Sequence, residues 1–123
     1  MSNTDLVARF IAAWEAKDID AIMSHFAEGA TYHNIPMPKL TGAGQIRPFI
    51  AGFLADAETV TFEVLSSAEN GDRVLNERVD TFHLKSGKTL RFEVMGVFEI
   101  ADGKIAAWRD YFDMKDVEKQ MAG

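Results

Sequence analysis

Three side chains in this sequence have the types and spacing for proton-transfer chemistry. Arg78 and Asp80 stand two residues apart in LNERVDTFHL (residues 75–84), and Asp110 lies in IAAWRDYFDM (residues 105–114). A strand alternates its side chains, so Asn76, Arg78, Asp80 and Phe82 share one face of the first segment. Phe82 and Leu84 should look inward, and parity carries Arg78 and Asp80 with them. In the second segment Ala106, Trp108, Asp110 and Phe112 share a face, which sets Asp110 between two aromatics on the inner side. Burying Arg and Asp is costly unless they are paired and their remaining hydrogen bonds are met. One guanidinium between two carboxyls meets that demand, because its planar fork donates to both at once. Two carboxyls sharing one Arg in a buried site hold a single proton most comfortably, and such a pair supplies an acid and a base together. Two blander readings compete: a structural ion-pair network that holds the sheet register, and a bulge that shifts parity and turns these groups to solvent.

The elements that must position these residues follow from periodicity. In DLVARFIAAWEAKD, Leu6, Val7, Phe10, Ile11 and Trp14 recur at helical spacing, with Thr4 or Asp5 as cap. A shorter helix starts at Asp18 or Asp20, packs Ile22, Met23 and Phe26, and closes at Gly29. ATYHN forms a short strand that runs into the loop IPMPKLTGAG. A third helix carries Ile46, Phe49, Ile50, Phe53 and Leu54, and it tolerates Pro48 only in its first turn. From Glu58 onward the period changes to two. TVTFEVLSSA, RVLNERVDTFHL, TLRFEVMGVFEI and IAAWRDYFDM read as long strands joined by the turns ENGD, KSGK and ADGK. The expected architecture is one α+β domain over residues 1–123, with three N-terminal helices on a curved sheet. Leu90, Phe92, Val94, Gly96 and Phe98 should face those helices. Met95 and Val97 should face away.

Composition narrows the functions. The 123 residues are 47% hydrophobic and 26% charged, an ordinary globular balance. A net charge of -6 argues against a phosphate backbone as partner. Without cysteine there is no disulfide framework and no thiol nucleophile. The three histidines include no i, i+4 pair of the helical zinc type, so neither metal nor cofactor is expected. No stretch approaches the roughly 18 apolar residues of a membrane span, and no leader is evident, so a cytoplasmic protein is expected.

NERVDTF, MGVFEIADGKIAAWRDYFD and TYHNIPMP together resemble the limonene-1,2-epoxide hydrolase family, within the NTF2-like group of cone-shaped α+β domains that also holds ketosteroid isomerases and polyketide cyclases. The resemblance spans about residues 6–114 and implies a curved mixed or antiparallel sheet with the helices on its concave face. The family's Arg-x-Asp falls on Arg78 and Asp80, its second catalytic Asp on Asp110, and its water-holding Tyr and Asn on Tyr32 and Asn34. His33 stands where some relatives have Gln; it alternates outward and receives no role. A long N-terminal extension of some relatives is missing. The resemblance also implies an apolar pocket, for which parity offers Phe82, Phe92, Val94 and Phe112 as lining.

On this reading Asp110 takes a proton from a water held by Tyr32 and Asn34, protonated Asp80 donates to the oxirane oxygen, and Arg78 bridges them. The family assigns the proton to Asp80; residue chemistry alone leaves that open. Direct attack by water requires no nucleophilic Asp with a partnering His. The implied partners are water and a small apolar epoxide, with a second copy of the chain as a homodimer. Two rivals remain: an isomerase or cyclase of the same fold, in which an Asp moves a proton beside a carbonyl, and a non-catalytic small-molecule carrier.

Overall fold

A computed structural model describes residues 2–122. The chain begins with α1 (Asn3–Glu15), and the stripe anticipated from its spacing is buried: Leu6, Val7, Phe10, Ile11 and Trp14. Its cap is Ser2 rather than Thr4 or Asp5. The Ser2 hydroxyl accepts from the Asp5 backbone N–H at 3.1 Å, and the Asp5 carboxylate accepts from the Ser2 N–H. This reciprocal box satisfies two of the donors a helix start leaves free, which is why the helix begins before its first apolar residue. Asp18 caps α2 (Ile19–Ser24). That helix stops short of Gly29, because Phe26 already opens β1 (Phe26–Asn34). Gly29, at φ 72°, lies inside β1, where the pairing register shifts between Phe26 and Thr31. Five steps along β1 there match two along β6, and glycine adopts the left-handed conformation of this irregularity without steric cost.

The loop after β1 holds a two-residue strand, β2 (Leu40–Thr41), which periodicity did not separate from its surroundings. Then comes α3 (Ala43–Asp56), which buries Ile46, Ile50 and Leu54. Pro48 lies in its second turn, not its first. Its ring removes the N–H that would bond the Gly44 carbonyl, but both residues are exposed, which leaves that side of the helix open to solvent.

Four long strands complete the sheet: β3 (Ala57–Asn70), β4 (Arg73–Leu84), β5 (Thr89–Ala101) and β6 (Lys104–Tyr111). The order across the sheet is β2-β1-β6-β5-β4-β3, antiparallel except where β1 runs parallel to β6. Register shifts in β3 and between β5 and β6 bend the sheet around the helices. The fold is thus the expected curved, mixed α+β arrangement. On the inner face Phe10 sets its ring edge against Trp108 at 5.1 Å and Phe98 at 6.1 Å, while Trp14 packs on Phe62 at 5.1 Å. Each such buried ring contributes about 1.5–3 kcal/mol.

A fourth helix, α4 (Met114–Ala122), was not anticipated: Met114 belongs to it and not to the last strand. Asp113 caps it, accepting from the Lys115 and Asp116 N–H groups at 3.0 and 3.3 Å. Gln120 docks it. Its amide donates to the Arg91 carbonyl at 2.6 Å and accepts from the Arg91 N–H at 2.7 Å, pairing the part of β5 that extends beyond β6.

Candidate active site

Strand register brings the chemistry-bearing residues together. On the inner face one row crosses four strands, with Asn76 of β4 opposite Gly96 of β5, Gly96 opposite Asp110 of β6, and Asp110 opposite Asn34 of β1. Arg78 and Asp80 follow Asn76 at alternate positions of β4, as a period of two requires. All of the charged members are buried: Arg78 at 0% exposure, Asp80 at 2% and Asp110 at 4%.

Arg78 bridges the two carboxylates. Its Nε and Nη2 donate to the two oxygens of Asp80 at 3.0 and 2.9 Å, and Nη2 also donates to Asp110 Oδ2 at 2.8 Å. Nη1 donates to Asn76 Oδ1 at 2.9 Å. The other oxygen of Asp110 accepts from the Trp108 indole N–H at 2.8 Å. The guanidinium carbon stands 5.2 Å from the centre of the Phe62 ring, so an aromatic face adds to the support of its charge. Tyr32 stacks on Trp108 at 4.2 Å with ring planes 6° apart, which fixes its ring beside Asp110.

The electrostatics follow from burial. Removal from water raises Asp80 from 3.8 to about 6; the negative charge of Asp110 pushes the same way, and Arg78 only partly opposes them. Burial works against the Arg78 charge, but Asp110 and Asp80 outweigh it and hold the guanidinium protonated far above neutral pH. Burial, reinforced by Asp110, likewise pushes the Tyr32 hydroxyl well above its usual range, so it remains a neutral donor. Near pH 6 the Asp80 carboxyl thus gains or loses a proton readily beside a permanent cation.

A cavity of about 220 Å³ opens over this cluster. Asp80, Asp110, Tyr32 and Asn34 share its wall with Phe82, Phe92 and Phe112. Val94 does not reach it; the side chain is buried at 3% exposure opposite Arg78. Residues not offered as lining from sequence join them, among them Phe49 and Phe53 from α3, Trp14 from α1, and Met114, Val117 and Met121 from α4. The i, i+3, i+7 spacing of the last three behind Asp113 is an amphipathic helix signal that was available in the sequence. The histidines stay outside the wall. His25 packs edge-on against Phe10 at 5.6 Å, His33 bonds the Met37 carbonyl, and His83 is exposed beside Thr89.

A buried carboxyl pair with one arginine, set beneath an apolar cavity, has the groups to give and take a proton, and the chain's relatives accord with such chemistry. Residues 1–123 match the limonene-1,2-epoxide hydrolase catalytic domain, and the chain belongs to that family. It is 30% identical over 115 residues to the epoxide hydrolase EphG of Mycobacterium tuberculosis, covering 92% of this chain and 74% of that protein. The structure of an LEH-like epoxide hydrolase of M. tuberculosis matches with a TM-score of 0.80 at 28% identity, over 96% of this chain and 87% of that one. An NTF2-like protein of unknown function from Burkholderia pseudomallei, 15% identical with a TM-score of 0.87 over the full length of both chains, shares the fold alone. Family membership supports epoxide hydrolysis as the activity.

Proposed function

We propose that this protein hydrates an apolar, ring-bearing epoxide of the limonene-oxide type to a vicinal diol in one step, without a covalent intermediate. The observation that carries the reading is the Arg78 bridge between Asp80 and Asp110 in the wall of an apolar cavity. Tyr32 and Asn34 hold a water against the Asp110 carboxylate. As that carboxylate takes a proton, the water oxygen bonds to an oxirane carbon, the carbon–oxygen bond breaks, and the Asp80 carboxyl protonates the departing oxygen. Asp110 then carries the proton that Asp80 has lost, and Arg78, bonded to both, keeps the charge balanced while solvent returns the proton. Aromatic and aliphatic side chains make up most of the rest of the wall and contribute by desolvation, since polar substrates would lose hydration there without compensation.

We further propose that residues 1–123 act as one catalytic domain in a homodimer. Met95 and Tyr111 face each other across β5 and β6 on the outer face, 41% and 45% exposed, and offer apolar contact area for a second copy. The test is hydrolysis of a panel of cyclic and linear epoxides by the wild type, Asp80→Asn and Asp110→Asn. Diol formation by the wild type and its loss in both variants are expected, and near-wild-type turnover in either variant would remove its assigned role. A single turnover in oxygen-18 water separates routes: label belongs in the diol, whereas label in a protein carboxyl would mean an ester intermediate.

A further inference from the structure

Arg78 is on β4 and Asp110 on β6, with β5 between them. Neighbouring strands lie about 4.8 Å apart, so the guanidinium must reach over a strand whose side chains would normally fill that space. At the crossing point β5 has Gly96, buried and flanked in register by Asn76 on one side and Asp110 on the other. A methyl group there would stand 2.9 Å from both Asn76 Oδ1 and Asp110 Oδ1 and would overlap Arg78 Nη1 outright. Asn76, at 2% exposure, supplies the one neutral acceptor among the guanidinium's partners. Neither Asn76 nor Gly96 is in the cavity wall.

We infer that Asn76 and Gly96 are positioning residues for the reaction: the missing side chain of Gly96 opens the trough through which Arg78 reaches Asp110, and Asn76 anchors Nη1 so that the fork lies flat between the two carboxyls. The inference rests on the epoxide-hydration reading for its kinetic tests but not for its structural one. Without the anchor, the planar guanidinium tilts about its Cδ–Nε bond and its bridge to one of the two carboxyls weakens. A displacement of about 1 Å at such a centre costs on the order of 100-fold in rate. The substrate touches neither residue, so KM is unaffected. The charged and titratable groups facing Asp80 are Arg78 on its own strand, Asp110 on β6 and Tyr32 on β1. A third carboxyl at position 76 repels the ionisation of Asp80 and raises its pKa.

With limonene-1,2-epoxide as probe, Asn76→Ala is expected to lower kcat about 30-fold and Gly96→Ala about 100-fold, each with KM within about twofold of wild type. Asn76→Asp keeps the acceptor oxygen, so it should recover most of kcat while moving the alkaline limb of the pH profile up by about one unit. The inference is overturned if Asn76→Ala and Gly96→Ala keep kcat within twofold, or if Asn76→Asp matches Asn76→Ala with its alkaline limb unmoved. Gly96→Ala presses on a filled volume and loses the fold if the sheet cannot adjust, so one measurement uses the unaltered protein. Nitrogen-15 NMR of Arg78 should resolve separate, slowly exchanging Nη protons, because Asn76 and both aspartates hold the fork fixed; a single averaged signal overturns the inference. If the wild type hydrates no epoxide, the proposed function fails, while loss of the separate Nη signals in Asn76→Ala, or their persistence there, still decides the positioning.

Discussion

Replacing Asp80 by Asn tests the electrostatics of the site without any substrate. Burial lifts the Asp80 carboxyl from 3.8 to about 6, so between those values the folded protein binds a proton that the unfolded chain has released. A group whose pKa is raised by folding contributes its stability below the unfolded value and withdraws it as pH rises through the folded one. At about 1.4 kcal/mol per pH unit, ionising Asp80 costs the fold about 3 kcal/mol by pH 8. Asparagine has the shape of the neutral carboxyl and never pays that cost, although its amide fits the Arg78 fork less well. The difference in unfolding free energy, variant minus wild type, should therefore be near zero or negative at pH 4. It should climb between pH 4 and 6 and level off above pH 7 about 3 kcal/mol higher, on the order of 10 °C in Tm at this chain length. Urea denaturation followed by tryptophan fluorescence at pH 4, 5, 6 and 8 measures it, and titrating groups outside the Asp80–Asp110 pair cancel between the two proteins. A difference that is flat with pH, or one that falls as pH rises, would show Asp80 to be an ordinary ion-paired carboxylate and would refute the reasoning.

The same group fixes the activity profile: Asp80 must carry its proton to act as the acid, so with a pKa of about 6 the diol-forming rate should drop about 50-fold between pH 6 and pH 8, and a flat rate there would remove Asp80 from that role. Tyr32→Phe keeps the stack on Trp108 and removes only the hydroxyl, so kcat should fall by about 10- to 100-fold at an unchanged Tm; unimpaired turnover would show that the water is held by other groups. Gln120→Ala deletes both bonds between α4 and Arg91, and at about 1 kcal/mol for each the backbone amides of α4 should exchange with solvent about 30-fold faster by mass spectrometry; unchanged exchange would show that Met114, Val117 and Met121 suffice to dock the helix.

Alternation along β4, β5 and β6 was enough to put Arg78, Asp80 and Asp110 on the inner face, because a period of two leaves a strand only two choices and Phe82, Leu90 and Trp108 settle which one is buried. The distance across the sheet was not legible. Periodicity orders residues within a strand, whereas the meeting of Arg78 with Asp110 depends on the register of three strands, fixed by hairpin turns and bulges together. Gly96 therefore read as one more inward position until the register set it between Asn76 and Asp110. Local signals misplaced Gly29 for a related reason: a glycine after a helical stretch reads as a helix end, and only pairing with β6 reveals the bulge. Val94 shows the limit of parity as a guide to lining, since inward includes both the cavity wall and the packing beneath it.

Burial of three charged side chains at the centre of a sheet runs against stability, and the cluster's composition limits that cost. One cation with two carboxyls is neutral when a single proton is shared, so the least costly buried state is also the state with an acid and a base side by side. The asymmetry between the carboxyls comes from their neighbours. Asp110 accepts from the Trp108 indole N–H on the oxygen that Arg78 leaves free, whereas both oxygens of Asp80 depend on the Arg78 fork alone. Each carboxyl thus accepts two hydrogen bonds, and what raises Asp80 is burial, with the charge of Asp110 behind it. The apolar wall enforces the same result. Each ring that excludes water from the cavity raises the cost of a second negative charge, so the apolar wall that desolvates the site also raises the Asp80 carboxyl to about 6. Under the proposed function, substrate preference and acid strength are two consequences of one desolvated volume.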